Sequence, residues 1–217
     1  MPAAPFPRQA AVSSWFEKAG AQRMRAAEHD YLLARVRAVP AQPWLWLAPS
    51  ASWLPRECPD GRGVRLHRSA DGRQWLGDVA CSLPLPLPSE AVNAIVLQHA
   101  AGSGLDGLLS ECARVLMPGG RLWLTALNRY SPYRVRWQWQ DARPASLAHC
   151  RLRLRRDGLQ VSARTHFGPL WHESGATGGK ALPGLRAVSV IEFEKRTRAL
   201  IGPEAVRAGG WRAPVAT

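Results

Sequence analysis

The chain has 217 residues, 46% of them apolar, which suits one α/β domain with a small extension and a full core of its own. No apolar run approaches the roughly 18 residues that would span a membrane, the N-terminal stretch lacks the apolar segment of a secretory signal, and the scattered Cys58, Cys81, Cys112 and Cys150 have no metal-ligand spacing; a cytoplasmic protein with reduced thiols and no metal is expected. The formal net charge of +13 rests almost wholly on arginine, the lysines being Lys18, Lys180 and Lys195, and it favours RNA or an acidic protein as partner, although a GC-rich coding sequence gives the same arginine bias with no function attached.

Residues 1–12, with Pro2, Pro5 and Pro7, read as a disordered leader. Ser14 and Glu17 have capping-box spacing, so a helix is expected from there to Arg37, with Met24, Ala27, Tyr31 and Val36 as its apolar stripe. Pro40 and Pro43 end it. Short strands are expected at 44–47, 63–67 and 75–79. A proline-punctuated loop then leads to an apolar run at 91–97, a helix-period segment at 105–116, Met117-Pro118-Gly119-Gly120, and a second apolar run at 121–127. This is a strand–helix–turn–strand unit in which the glycines permit a tight turn and the proline stops the helix. Pro144 suits the first turn of a helix through Asp157, with Gly158 just past its end. Residues 159–167 and 186–195 read as strands around a Gly/Pro-containing loop at 168–185, and they suit an antiparallel pair. Residues 196–217 read as a basic flexible tail, which leaves a single domain over 13–195. Strands alternating with helices predict an α/β fold, its mostly parallel sheet covered by helices on both faces. Ligands on such sheets lie beyond the carboxyl ends of the strands, here after Leu47, His67, Gly77 and Leu97.

Residues 83–127 carry a Leu-Pro loop, Asn93 within an apolar strand, and Arg114-Val115-Leu116-Met117-Pro118-Gly119-Gly120. This stretch closely resembles the middle of class I S-adenosylmethionine (SAM) dependent methyltransferases of the methyltransferase-11 type. Residues 128–136 and Gly210-Trp211-Arg212 resemble a proteobacterial branch of that family whose first glycine loop is itself degenerate. The resemblance implies a Rossmann-like fold with an antiparallel last strand, SAM as cofactor, and transfer of a methyl group to an unknown acceptor, expected to be a small molecule. An acceptor atom would attack the sulfonium methyl in line, the protein contributing proximity, orientation and, where needed, a base.

The resemblance also assigns positions. In the family an acidic residue precedes Gly-x-Gly-x-Gly after the first strand. Here Trp46 takes the acidic position, and Ala48, Ser50 and Ser52 take the glycines. Leu47, Ala48, Ser50 and Ala51 would form the cofactor turn, although their Cβ atoms hinder close approach and Pro49 lacks an N–H. His67 or Arg68 stands where an acid would clamp the ribose, with Asp71 nearby as a substitute. Asp78 would meet the adenine edge, with the Val79 N–H beside it. Gln98 and His99 would lie near the transferred methyl, and His99 is the candidate general base. Asn128, Tyr130 and Tyr133 would line the acceptor pocket. Each has a plainer alternative as a turn, loop or packing residue. The lost glycines and lost acid keep a second expectation open, a degenerate fold acting as a binding or regulatory partner. A third is RNA association through Arg134, Arg136, Arg143, Arg151, Arg153, Arg155, Arg156 and Arg164 with Tyr130, Tyr133, Trp137 and Trp139 nearby. The alternation at 151–155 does not place those arginines on one helix face.

Overall fold

The computed structural model describes residues 19–102, 104–132, 145–168 and 183–196. The expected leader, the basic tail, most of the loop at 168–185 and the arginines and tryptophans of 133–144 lie outside the described residues.

Helix α1 spans Ala19–Arg37. Its buried positions are Ala21, Met24, Glu28, Leu32 and Val36, a three-to-four-residue spacing that defines one face. The expected stripe is therefore corrected at its centre: Ala27 is exposed and Tyr31 only half-buried, while Glu28 is fully buried. Apolarity alone selects alanine there; the sheet below selects the carboxylate.

Strands β1 (Trp44–Ala48) and β2 (Gly63–Arg68) are joined through a single 3-10 turn, Ala51–Trp53. Then follow β3 (Trp75–Gly77), β4 (Val92–Gln98), α2 (Leu105–Val115), β5 (Leu116–Leu127), α3 (Leu147–Arg156), β6 (Leu159–Phe167) and β7 (Val188–Lys195). They form a seven-stranded sheet in the order β3-β2-β1-β4-β5-β7-β6. β1 is parallel to β2 and β4, and β4 to β5; β7 lies antiparallel between β5 and β6. The sheet is mostly parallel with a reversed last strand, as the alternation and the resemblance implied. β3 departs from this pattern. It pairs antiparallel with β2 through a hairpin closed by Ser69 and Gln74, whose N–H···O bond is 2.9 Å.

Side-chain alternation along each strand divides the core into two layers. One holds Leu45, Leu47, Ile95, Leu97, Leu122 and Leu124 with buried residues of α2 and α3. There, burial pushes the Cys112 thiol up to about 12 and Cys150 up to about 11, so both act as small apolar fillers. The other layer holds Trp44, Trp46, Trp53, Val96 and Trp123 against α1. No helix connects β1 to β2 or β2 to β3, so α1 covers the face where crossover helices would pack. Among the described residues no helix is long and apolar enough to cross a membrane.

The β4–β5 ladder jumps from Val92↔Leu116 to Ala94↔Arg121, so residues 117–120 loop out of it. Gly119 has φ +76°, in the left-handed region. A Cβ on Gly120 would lie 2.8 Å from Leu116 Cδ1 and 2.9 Å from the carbonyl oxygens of Asn93 and Met117. Two of those neighbours are backbone and cannot rotate away. Gly120→Ala is expected to destabilise the fold by about 1–3 kcal/mol in urea melts. Gly107→Ala, at an exposed position of α2 with its nearest contact at 3.8 Å, is expected to stabilise by about 0.5–1 kcal/mol.

Candidate functional site at the carboxyl ends of β1 and β4

Where the sheet meets α1, the strands present Trp46, Gln98 and Thr125 to the helix. The Trp46 indole N–H donates to Gln98 Oε1 at 2.8 Å. An indole can only donate, so this bond fixes the Gln98 amide and leaves its Nε2 to donate to Glu28 Oε1 at 2.9 Å. The Thr125 hydroxyl donates to the same oxygen at 2.7 Å, and His99 Nε2 lies 2.9 Å from Glu28 Oε2. Burial by itself would push the Glu28 carboxyl upward. The ion pair with His99 and the hydrogen bonds from His99, Thr125 and Gln98 outweigh it and hold the group below the ordinary carboxylate range. His99 has φ +46°. That left-handed turn at the end of β4 costs about 1–2 kcal/mol for a residue with a Cβ, and it aims the ring at Glu28 and edge-on to Trp53, with centroids 5.0 Å apart.

A second buried carboxylate ties the other half of α1. Glu192 of β7 accepts from Trp123 Nε1 at 3.0 Å, Arg35 Nη2 at 3.0 Å and Arg121 Nη1 at 2.7 Å.

Beyond the cluster is the edge where a cofactor would lie. Ala48 pairs with His67 across the β1–β2 ladder, and His67 Nδ1 lies 3.2 Å from the Arg68 carbonyl. Arg68 Nε and Nη2 donate to the Gly72 carbonyl at 3.1 and 2.9 Å, while Nη1 donates to the carbonyl of Ala101. Ala101 follows β4, and β1 lies between β2 and β4. The guanidinium therefore crosses the carboxyl end of β1. Burial pulls its pKa down, with Asp71 opposing that shift. After β1 the hydroxyls of Ser50 and Ser52 are 3.0 Å apart, exposed Ala51 opens the 3-10 turn, and none of residues 48–53 has a positive φ. Trp53 is fully buried, and its carbonyl lies 2.8 Å from His29 Nε2.

Of the residues expected from sequence, the structure brings Gln98 and His99 into the buried cluster. It groups Ala48, Ser50, Ala51 and His67 near the end of β1. Leu47 belongs to the α2–α3 core. Asp78 is carried elsewhere: because β3 runs backwards, Gly77 pairs with Leu66 and Asp78 falls beside Arg65, away from the carboxyl end of β2. Arg65 occupies both its oxygens, Nη2 at 2.9 Å on one and the backbone N–H at 2.8 Å on the other. The hydrogen bonds from Arg65 hold the Asp78 carboxyl low, against a smaller upward push from burial. Val79 is exposed. Asn128 acts as a brace, its amide donating to the carbonyls of Gly184 and Arg186 at 2.6 and 2.9 Å and its Oδ1 accepting from the Tyr130 N–H at 3.1 Å. Tyr130 is 72% exposed, with Arg129 over its ring. Tyr133 lies outside the described residues.

Sequence reasoning missed Glu28, Trp53 and Thr125. For Glu28 a signal existed: it stands four residues from both Met24 and Leu32, at the centre of the helical stripe.

No family model matches the sequence. Over 98 residues, 42% of this chain, it is 36% identical to the malonyl-[acyl-carrier protein] O-methyltransferase of Methylococcus capsulatus; the match spans only 34% of that relative's length. A SAM-dependent methyltransferase from Archaeoglobus fulgidus superposes with a TM-score of 0.54 at 12% identity, over 79% of this chain and 94% of that one. The fold is that of the class I SAM-dependent methyltransferases. A Haloferax volcanii protein solved in complex with the Trm112 methyltransferase activator superposes with a TM-score of 0.55 at 17% identity, over 86% of this chain and 98% of that one.

The side chains depart from the donor site that the family pattern implies. That site needs close backbone approach after β1 and an acceptor for ribose hydroxyls after β2. Here Cβ atoms stand at Ala48, Ser50 and Ser52, and Arg68 spans the place an acid would face. In this arrangement the residues do not form the clamp.

Glu28 is expected to govern acid stability. Its carboxyl is held low in the native state, so its contribution is present above the ordinary carboxylate range and is lost as pH falls through the lowered native value. Glu28→Gln is expected to cost about 2 kcal/mol at neutral pH and to flatten the acid limb of a stability-versus-pH curve measured by urea unfolding.

Proposed function

We propose that the protein is a SAM-dependent methyltransferase with a diverged donor site at the carboxyl ends of β1 and β4, acting on a small-molecule acceptor. The observation that carries this reading is the strand order β3-β2-β1-β4-β5-β7-β6 with β7 reversed, over a chain 36% identical across 98 residues to a methyltransferase. The backbone of residues 47–51, His67 and the loop after β4 are the groups that would face a donor there. His99 is 6% exposed and its Nε2 is committed to Glu28. In this reading it shapes the end of β4 rather than taking a proton from the acceptor.

A second reading, a methyltransferase fold serving as a binding or regulatory subunit, is favoured by the Arg68 bridge and the missing ribose clamp. The Haloferax volcanii neighbour, solved with a methyltransferase activator, lends weight to the same second reading.

Calorimetry with SAM and S-adenosylhomocysteine separates these. The enzyme reading expects weak binding to the native protein and at least about tenfold tighter binding to Arg68→Ala, about 1.4 kcal/mol, with a thermal melt confirming that the variant folds. No binding by either protein at millimolar ligand would leave the subunit reading.

A further inference from the structure

Far from β1, at the other edge of the sheet, lies a group of five arginines, four of them without a carboxylate partner among the described residues. Arg151 and Arg155 lie one turn apart on α3. With Arg156, Arg164 of β6 and Arg196 after β7, they line a cavity of about 750 Å³. A smaller cavity of about 140 Å³ shares Arg151 and Arg164 and extends to His166. Together they follow β6, a strand of nine residues and therefore roughly 30 Å long. The alternation at 151–155 obscured this surface because only part of it is helix: Arg151, Arg155 and Arg156 of α3 face the same space as Arg164 of β6.

Several other arginines are paired. Arg35 and Arg121 meet Glu192, Arg114 meets Glu111, and Arg153, on the same helix, reaches Asp157 at 3.6 Å and Ser110 at 2.6 Å. The side chains of Arg151, Arg155, Arg156 and Arg164 have no hydrogen-bond or carboxylate partner among the described residues, and that of Arg196 has a 3.9 Å contact to Glu194. Close uncompensated guanidinium groups repel one another unless an anion joins them.

The surface also narrows the choice of anion. Arg164 on edge strand β6 and the register shift at Val161/Ala163 oppose addition of a peptide strand. Charges spread along a groove between a helix and a strand suit a linear polyanion better than a compact one. Guanidinium groups can both pair with phosphate oxygens and stack on unpaired bases. We propose that the α3–β6 groove binds the phosphate backbone of a single-stranded nucleic acid. This does not depend on the methyl-donor reading, and the site lies at the opposite edge of the sheet from the β2–β3 hairpin.

The test is fluorescence anisotropy of the full chain with a labelled oligouridylate, titrated over a range of salt. The double variant Arg155→Gln/Arg164→Gln is compared with Arg62→Gln/Arg73→Gln, which removes the same charge from exposed positions around β2 and β3. The groove variant is expected to weaken binding at least about tenfold and to lower the salt slope by about 1.4, two phosphate contacts on a single strand. The control pair is expected to change affinity by less than about threefold, and both variants to keep the native melting temperature because all four side chains are exposed. Equal losses in the two pairs would reduce the effect to net charge and overturn the proposal. So would no binding by the native chain at low salt, or polyglutamate binding as tightly as the oligonucleotide and being lost with the same groove variant.

Discussion

A carboxylate removed from water must be answered on both oxygens, and Glu28 is answered by groups from three separate elements. Thr125 comes from β5, Gln98 from the last position of β4, and His99 from the turn beyond it. None of these donors can slide by one residue without leaving an unpaired polar group in the core, which costs about 1–3 kcal/mol. The charge therefore fixes the register of α1 on the sheet, which an apolar helix face alone would leave loose. Glu192 repeats the device from the opposite direction, rising from β7 to Arg35 of the helix.

The same bonds explain how Trp46 is tolerated where the family pattern has an acid. An indole supplies a donor and no charge. Trp46 passes its hydrogen bond to Gln98, which passes one to Glu28. Negative charge is thus present near the middle strands, but it comes from the helix above them rather than from β1. At the neighbouring strand Arg68 inverts the expected sign altogether. The chain keeps the sheet of its structural neighbours and redistributes the charges around it.

Much of this fold was legible in the sequence. Trp44–Ala48, Val92–Gln98 and the run to Leu127 are apolar because both faces of the central strands are buried, and the glycines at 119 and 120 mark a turn only they fit. The direction of β3 was not legible from its three residues, although Asp71-Gly72 is a hairpin signal that distinguishes a reversal from a crossover. That one reversal moves Asp78 from the ligand edge to Arg65. Glu28 was missed because the reason for its burial lies in distant strands. Arg68 was seen only as a residue in the acid's place, because no local pattern records that its side chain reaches Ala101.

The wiring of α1 also sets an order of events during synthesis. The helix leaves the ribosome early, yet the partners of Glu28 arrive 70 to 97 residues later, and Glu192 is 157 residues beyond Arg35. Until those strands exist, burying the carboxylate has no return, so water keeps it and the helix stays undocked. The tryptophan-lined face of β1 must meanwhile wait uncovered. Contacts of such long sequence separation slow folding and prolong exposure of apolar surface, so a helix made before the sheet is locked only after it.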